Sequence, residues 1–555
     1  MMSLRALSQV SFFDPEFVMP GALEPGTLPL LLGRYRSLVL PSWLFKGWRG
    51  EEQLGRDAWP PQVLMVLVLL RWVGEGMSRR QSAKTAQSDA VWRAAMGLQF
   101  GAPTPSEKTI REFERFLQGQ HPDADRARFL VFNEHVVRLC VDNGLGGKDA
   151  VWGTDSTPMW CYGQVIDTLR LLGDGVRKLA GLWARATGQG VLAIAAEWGL
   201  EKLIGAKSTK GGLGVEIRDK AGRAKALDSL ADAVMKVTAY VREHAHELVD
   251  VAPRKRQEML KLARRLVLII TQNLDRESTD GKEHWVMARK VAPERIASLT
   301  DPEVRHGRKS ASQTYTGFKI HVLGDCVSGL IASLTVTKGN QHDATVTPRL
   351  VGRAKELVDA FDVLLADTAY GGAELRHNLA RTMDVRVVAP PPPVSKTSDR
   401  YTKHDFEIDF ETMQVTCPNG VVAPEQRRAG PDAIGADGMK FKWPRTECDQ
   451  CPLRTKCLDS DRRTKTIELH PFERELRKAR DDWQDVEVRE AYKRRNEHER
   501  LVNQLTRHGG RKARAWGLKA ANLQAHAIAA STNLTLLARQ LAALEKKAEQ
   551  QRAAA

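Results

Sequence analysis

The sequence predicts an α/β protein whose mixed sheet carries acidic residues at its working edge, with a large surplus of helix around it. Three observations lead there. The apolar run 363–366 (VLLA) ends in Asp367 and then a Tyr370-Gly371-Gly372 turn. A run this short, bounded by turn residues, reads as a buried strand, and open α/β sheets place their chemistry just past such strand ends. The run 151–157 (VWGTDST) has the same form and delivers Asp155. Finally, 316–324 (TGFKIHVLG) and 330–336 (LIASLTV) flank a Ser- and Gly-bearing loop, which is a hairpin signal.

Composition sets the scale. The chain has 555 residues, 42% hydrophobic and 27% charged, globular usage in a chain long enough for several units. Lys and Arg number 84 against 68 Asp and Glu, a net charge of +16, with a pI near 9.5. So large an excess favours a polyanionic partner, nucleic acid before membrane, and binding that weakens steeply with salt through counterion release. Residues 1–20 lack the charged start and apolar core of a leader. The longest apolar run, 63–70, is too short to span a bilayer. Seven cysteines argue against a disulfide framework in a chain of this length. These features predict a cytoplasmic protein with no membrane partner.

Taken in order, residues 1–60 mix Pro, Gly and apolar residues and read as an irregular arm with short helices. Helices follow over 61–76, 78–99 and 106–117, the last opened by Ser106 ahead of Ile110, Phe113 and Phe116 at helical spacing. The unit 1–145 is thus helical and carries Arg71, Arg79, Arg80, Lys84 and Arg93. It either packs and dimerises or touches DNA. The Asp155 strand spans 150–157. Helical stretches over 169–185, 191–203, 224–247 and 253–275 make 163–299 a helical insertion, whose basic residues contact DNA or form a solvated face. The hairpin, a helix over 344–360, the Asp367 strand, a helix over 374–382 and a strand over 385–389 then give a sheet of antiparallel and parallel pairs. The segments 146–162 and 300–393 are the first part of this core. Four prolines at 390–393 end it. The alternation in 406–410 (FEIDF) and an edge at 413–416 open a β subdomain over 394–470. Helices over 472–482, 485–507 and 518–544 form the C-terminal unit 471–545, before a frayed tail at 546–555.

Two-metal phosphodiester chemistry needs hard oxygen ligands converging from rigid elements. Asp155 and Asp367 suit it if each projects from a strand end, although either alone also reads as an ordinary turn or cap aspartate. A third acid, Glu499, lies on a strongly basic helix, where Tyr492, Arg495 and Glu499 fall at i, i+3 and i+7 on one face.

With these residues in place the chain resembles the DDE transposases of bacterial insertion sequences, the group with a Y-x2-R-x3-E-x6-K signature. Tyr492, Arg495 and Glu499 match in register; the final Lys position is Thr506, with Arg507 beside it. The settings of Asp155 (GTDST) and Asp367 (ADTAYGG), the RHGRK at 305–309 and the NQHD at 340–343 are similar to that group as well, over roughly 106–537. The resemblance implies an RNase H-like core, DNA cleavage at terminal inverted repeats dependent on Mg2+ (or Mn2+), and joining of the freed 3′-hydroxyl to target DNA. It implies double-stranded DNA as partner, a homodimer on that DNA, and a bacterial, nucleoid-associated setting. Asp155, Asp367 and Glu499 would hold the metals. Arg495 would grip a phosphate, Tyr492 would support the same backbone, and Arg507 would supply the charge of the missing Lys. Lys319, His342 and Asp343 would line the site or simply end the hairpin.

Cys417, the pair Cys448-x2-Cys451, and Cys457 form a separate cluster. Four thiolates suit a tetrahedral, structural Zn2+ that would organise a small domain short of apolar residues. Free thiols or a redox pair are the alternative. His404 and His470 flank the cluster as substitute ligands. Cys140, Cys161 and Cys326 are isolated and read as small buried hydrophobes. Two further functions fit the same residues: an RNase H-fold nuclease without strand transfer, and a non-catalytic, zinc-containing DNA-binding protein derived from a transposase.

Overall fold

The computed structural model describes residues 21, 23–48, 58–99, 101–214, 220–279, 281–290, 292–310, 312–393, 399–428 and 438–554. The leader reading of residues 1–20 lies outside them.

In chain order the strands are β1 (Trp152–Trp160), the hairpin β2 (Leu274–Thr279) and β3 (Lys282–Met287), β4 (Arg305–Arg308), β5 (Thr314–Asp325), β6 (Ile331–Lys338), β7 (Val363–Leu365), β8 (Arg386–Val388), β9 (Glu407–Asp409), β10 (Gln414–Thr416), β11 (Glu425–Arg428), β12 (Met439–Lys442) and β13 (Thr466–Leu469). The principal helices are α1 (Leu28–Arg34), α2 (Pro61–Leu70), α3 (Arg79–Ser88), α4 (Ala90–Met96), α5 (Glu107–Leu117), α6 (Arg128–Asp142), α7 (Thr168–Thr187), α8 (Lys220–His244), α9 (Pro253–Asn273), α10 (Thr347–Lys355), α11 (Ala373–Met383), α12 (Glu473–Gln484), α13 (Val486–Lys493), α14 (Asn496–Leu505) and α15 (Leu518–Ala554).

A six-stranded mixed sheet forms the centre, in the order β4-β5-β1-β7-β8, with β6 also paired to β5. β1 runs antiparallel to β5 from Trp152↔Asp325 to Trp160↔Gly317. It runs parallel to β7 through Trp152↔Leu364 and Gly153↔Leu365, and β7 is parallel to β8. Side chains alternate across the strands, so the sheet serves two cores. Phe318, Ile320 and Val322 face the large core that includes α2, α6 and α15. Trp152, Leu323 and Ala332 face a second core with α10 and α11.

The outer edge of β6 is covered by α15. Asn533 Oδ1 accepts from Ile331 N at 2.9 Å while its Nδ2 donates to Ile331 O at 2.9 Å. Asn522 repeats the arrangement on Val336 at 2.9 and 3.0 Å. Two carboxamides three turns apart thereby satisfy backbone groups that an edge strand would leave open. This explains why α15 is buried nearly all round from Leu523 to Leu534 despite carrying Asn, Gln, His, Ser and Thr.

Helices α7, α8 and α9 enclose a core of their own that includes Leu172, Val176, Leu230, Val234 and Leu266. The stretch read as purely helical ends in the β2–β3 hairpin, which is tied to α8 by Asp228 accepting from His284 Nδ1 and Trp285 N, each at 2.7 Å. The Asp280-Gly281 pair was the overlooked turn signal. Near the N-terminus, Glu114 on α5 receives both Arg71 and Arg79.

Other boundaries move for local reasons. The helix read over 61–76 stops at Leu70. The one read over 78–99 is two, because Asp89 leaves helical geometry and caps α4 through Trp92 N at 2.9 Å. The tail expected to fray continues α15 as helix to Ala554. The helix read over 485–507 is interrupted at Arg494 and Arg495, where Arg495 N bonds Tyr492 O and His498 N bonds Arg495 O, a tightened i to i+3 turn. Among the described residues no helix is long and apolar enough to cross a membrane.

Candidate active site: a carboxylate cleft on the central sheet

Asp155 lies in the middle of β1, opposite Val322, not at a strand end as the sequence suggested, because β1 continues five residues beyond it to pair with β5. It shares a face of the strand with Gly153. Asp367 follows β7 by two residues and caps the turn Thr368–Tyr370, accepting from Ala369 N at 2.8 Å. The parallel β1/β7 register, carried on from Gly153↔Leu365, brings Asp367 alongside Asp155.

Asp155 shows the electrostatic consequence. Burial pushes its carboxyl up to about 6; Arg495 and the Ser156 N–H oppose this, while the charges of Asp367 and Asp343 add to it. Desolvation disfavours the ionised form, and two neighbouring carboxylates disfavour it further. Arg495 Nη2 donates to Asp155 Oδ2 at 3.0 Å, and both side chains are mostly buried.

Asp343, at the end of the loop after β6, adds its charge to that of Asp367 at Asp155. Lys319 Nζ holds its Oδ1 at 2.9 Å and also donates to Gln341 O at 2.9 Å. His321 Nδ1 lies 3.4 Å from the same oxygen, but burial pushes the imidazole down to about 4, which leaves it neutral at pH 7. Tyr370 is fully buried and senses all three acids: burial first, then Asp343, Asp155 and Asp367, hold its phenol well above the usual value. Tyr492 is half-buried and raised by burial, with Arg495 opposing and Asp367 and Asp155 adding. Its ring meets Trp483 edge-on at 4.9 Å.

Helix α14 docks on β1 through His498. A Cβ built on Gly153 would stand 2.9 Å from Cys326 Sγ and 3.0 Å from His498 Nδ1, so only glycine admits this approach. His498 is buried, and burial pushes it down to about 3; it packs as a neutral ring.

Of the residues singled out from sequence, the fold therefore gathers Asp155, Asp367, Asp343, Lys319, Arg495 and Tyr492. Glu499 stands apart: it is exposed on α14, and its carboxylate makes no hydrogen bond or ion pair with another described residue. The tightened turn at Arg494 and Arg495 alters the spacing that put it on the face of Tyr492 and Arg495. Arg507 is exposed in the π-turn Thr506–Gly510. Among the described residues no group of three or more His, Cys, Asp or Glu is arranged as a metal cage. The donor chemistry nonetheless suits a hard divalent cation, since burial first, and then the charges of Asp367 and Asp343, hold the Asp155 carboxyl above its ordinary value, and such an ion offsets both. His321 and His498 escaped the sequence reading, and Tyr370 entered it only as part of the turn three residues after Asp367, with no role at the site.

The four cysteines lie elsewhere. Cys417, Cys448, Cys451 and Cys457 line one cavity of about 30 Å³ with Trp443 and Phe406. Cys457 is raised by burial, opposed by Lys465, and raised again by Cys448, Cys451 and Cys417. Four convergent thiols are a donor set that suits Zn2+, although they too form no metal cage in the sense above. His404 and His470 are both pushed down by burial, His404 to about 4. Cys140, Cys161 and Cys326 are buried, and burial raises each thiol.

No solved structure matches the chain. Residues 416–538 match the family model described as the transposase DDE domain. This stretch starts on β10, includes all four clustered cysteines, with Cys417 near its first residue, and carries Tyr492, Arg495 and Glu499; Asp155 and Asp367 precede it. The match, on a mixed α/β fold with an acidic cleft at β1 and β7, supports a DDE-type transposase.

Proposed function

We propose that the protein is a DNA transposase that binds transposon terminal inverted repeats, cleaves DNA there and joins the 3′-hydroxyl ends to target DNA. The observation that carries this reading is the placement of Asp155 within β1 and Asp367 just past the adjacent strand β7, with Arg495 from the matched segment bonded to Asp155. The core is read as RNase H-like, formed by 146–162, 300–393 and 471–545. The helical unit 1–145 serves DNA binding or dimerisation, 163–299 is an insertion, and 394–470 is a cysteine-bearing insertion between the second acid and the third.

Asp155, Asp367 and Glu499 would hold Mg2+ or Mn2+, which when bound supplies the Lewis acid for phosphodiester chemistry. The chain's own residues do the positioning. Arg495 carries five N–H donors, of which the Asp155 bond uses one, so it can hold that carboxylate and still reach a phosphate oxygen. Tyr492 flanks it, and exposed Arg507 offers a further phosphate contact. Lys319 keeps Asp343 in place against the other acids. Cys417, Cys448, Cys451 and Cys457 would hold a structural Zn2+. The partner is double-stranded DNA, the acting form is a homodimer on two ends, and the setting is the bacterial cytoplasm.

The test is a joining assay with full-length protein, end DNA, Mg2+ and a target plasmid. Joined product supports the reading. Cleavage without joining replaces it with a nuclease, and DNA binding without cleavage replaces it with a non-catalytic binder.

A further inference from the structure

A cavity beside the cysteine cluster has no part in the chemistry above. It measures about 550 Å³, opens to solvent, and lies between the loop before β9, the segment before β13, and α12. Its lining carries Arg400, Lys403, Arg462, Lys465 and Arg480, five permanent cations, with Asp459 as the lining carboxylate. Cations crowd together only where something offsets their repulsion, and the local partners do this incompletely. Arg400 pairs with Asp459. Lys403 Nζ meets buried Glu473 at 2.6 Å. Lys465 Nζ donates to two carbonyls, Tyr401 O at 2.8 Å and Cys457 O at 3.0 Å, and lies over the Phe406 ring, with no carboxylate partner among the described residues.

Two guanidiniums are left over. Arg462 is exposed and makes no ion pair with a described residue. Arg480 reaches Pro392 O with Nη2 at 3.4 Å, while its Nη1 is buried without a hydrogen-bond partner. A buried charged donor without a partner is unfavourable, so the Arg480 guanidinium favours an anion in the cavity. The imidazole of His404 sits in the same field and is pushed down to about 4, by burial and then by Arg480 and Lys403.

The geometry points to this cavity as a docking site for a backbone phosphate of double-stranded DNA, with Arg462 and Arg480 as its principal ligands. The inference rests on the DNA-acting reading and adds a contact away from the carboxylate cleft. The cysteine-bearing insertion would then grip DNA as well as separate the second acid from the third. A free phosphate anion shares the same chemistry, and the test separates the two.

Full-length wild type, Arg462→Gln and the double variant Arg462→Gln/Arg480→Gln are titrated with a mixed-sequence duplex by fluorescence anisotropy over a salt series, with melting temperatures recorded. A control, Lys546→Gln/Lys547→Gln, removes two exposed charges on α15. Each phosphate contact contributes about 0.9 to the slope of log affinity against log salt. The expected result is a slope less steep by about 1 for Arg462→Gln and by up to about 2 for the double variant. Affinity should fall by roughly tenfold per contact, with the control unchanged. Wild-type slopes in both pocket variants, or an equal change in the control, overturn the inference while leaving the DNA reading intact. Failure of wild type to bind duplex overturns both. If inorganic phosphate raises the melting temperature of wild type but not of the double variant, and the duplex slopes agree, the site takes a free anion and the inference is overturned.

Discussion

The acidic cleft and the cysteine cluster both gather side chains whose charges repel when ionised, yet they are supported differently. The cleft rests on the central sheet: Asp155 is fixed in β1, Asp367 by the turn after β7, and Asp343 by Lys319, with Arg495 bonded to Asp155. Each acid has a protein partner before any ion arrives. The cysteines stand in a unit whose fully buried core, among the described residues, is Phe406, Val415, Phe441, Trp443, Ile467 and Leu469. There the thiols are part of the packing. A cleft built in the first way is preorganised, and ion binding adjusts its charge. A cluster built in the second way depends on what the thiols bind, because so small a core supports little stability alone.

Four perturbations sharpen this contrast, from the largest expected effect to the smallest. On the proposed zinc site, stripping the ion with a chelator, or making Cys451→Ser, would remove a binding free energy of order 10 kcal/mol from the insertion. The expected outcome is new protease sites within 399–470 and reactive thiols, while the central sheet keeps its urea midpoint; an insertion as resistant as before would show that the thiols hold no metal. Gly153→Val attacks the other site. Its side chain must displace Cys326 or His498, so urea denaturation should show a loss of about 1–3 kcal/mol. A loss within error would mean that α14 rests loosely on β1.

The third perturbation is pH. The folded pKa of Asp155, about 6, lies above its ordinary 3.8, so the folded state binds the proton more tightly than the unfolded chain. Its contribution therefore favours folding at low pH and is lost as pH rises from about 4 through 6. Divalent-ion binding needs the ionised form, so stabilisation by Mg2+ should appear as pH rises through about 6. Thermal melts with and without Mg2+ across that range check this, and a flat Mg2+ effect would remove Asp155 from the ion site. The smallest effect is expected from Glu499→Gln. The residue is exposed, so stability should stay within about 0.5 kcal/mol while cleavage is lost. A large destabilisation would assign Glu499 a structural role.

Much of this organisation was legible. The Asp155 and Asp367 runs gave their strands because apolar runs bounded by turn residues have few other readings, and the hairpin flanking 325–329 announced itself by its loop. Ser106 marked the start of α5 through its bond to Thr109 N at 3.2 Å. What the sequence concealed was tertiary. Asp343 looked like a hairpin-end polar residue until the fold set it against Asp155. Helix periodicity put Glu499 with Arg495, but the tightened turn before α14 is a backbone detail that no spacing reveals. Nothing in the sequence set Asn522 and Asn533 apart on α15; they satisfy backbone groups at the edge of β6.

The most direct test of the central claim is Mg2+-dependent cleavage of an end-labelled duplex bearing the element's terminal repeat, by wild type and by Asp155→Ala, Asp367→Ala and Glu499→Ala. Cleavage by wild type and its loss in all three variants, each still folded and DNA-bound, is the result expected of a DDE enzyme. Wild-type cleavage by Asp155→Ala or Asp367→Ala would contradict it.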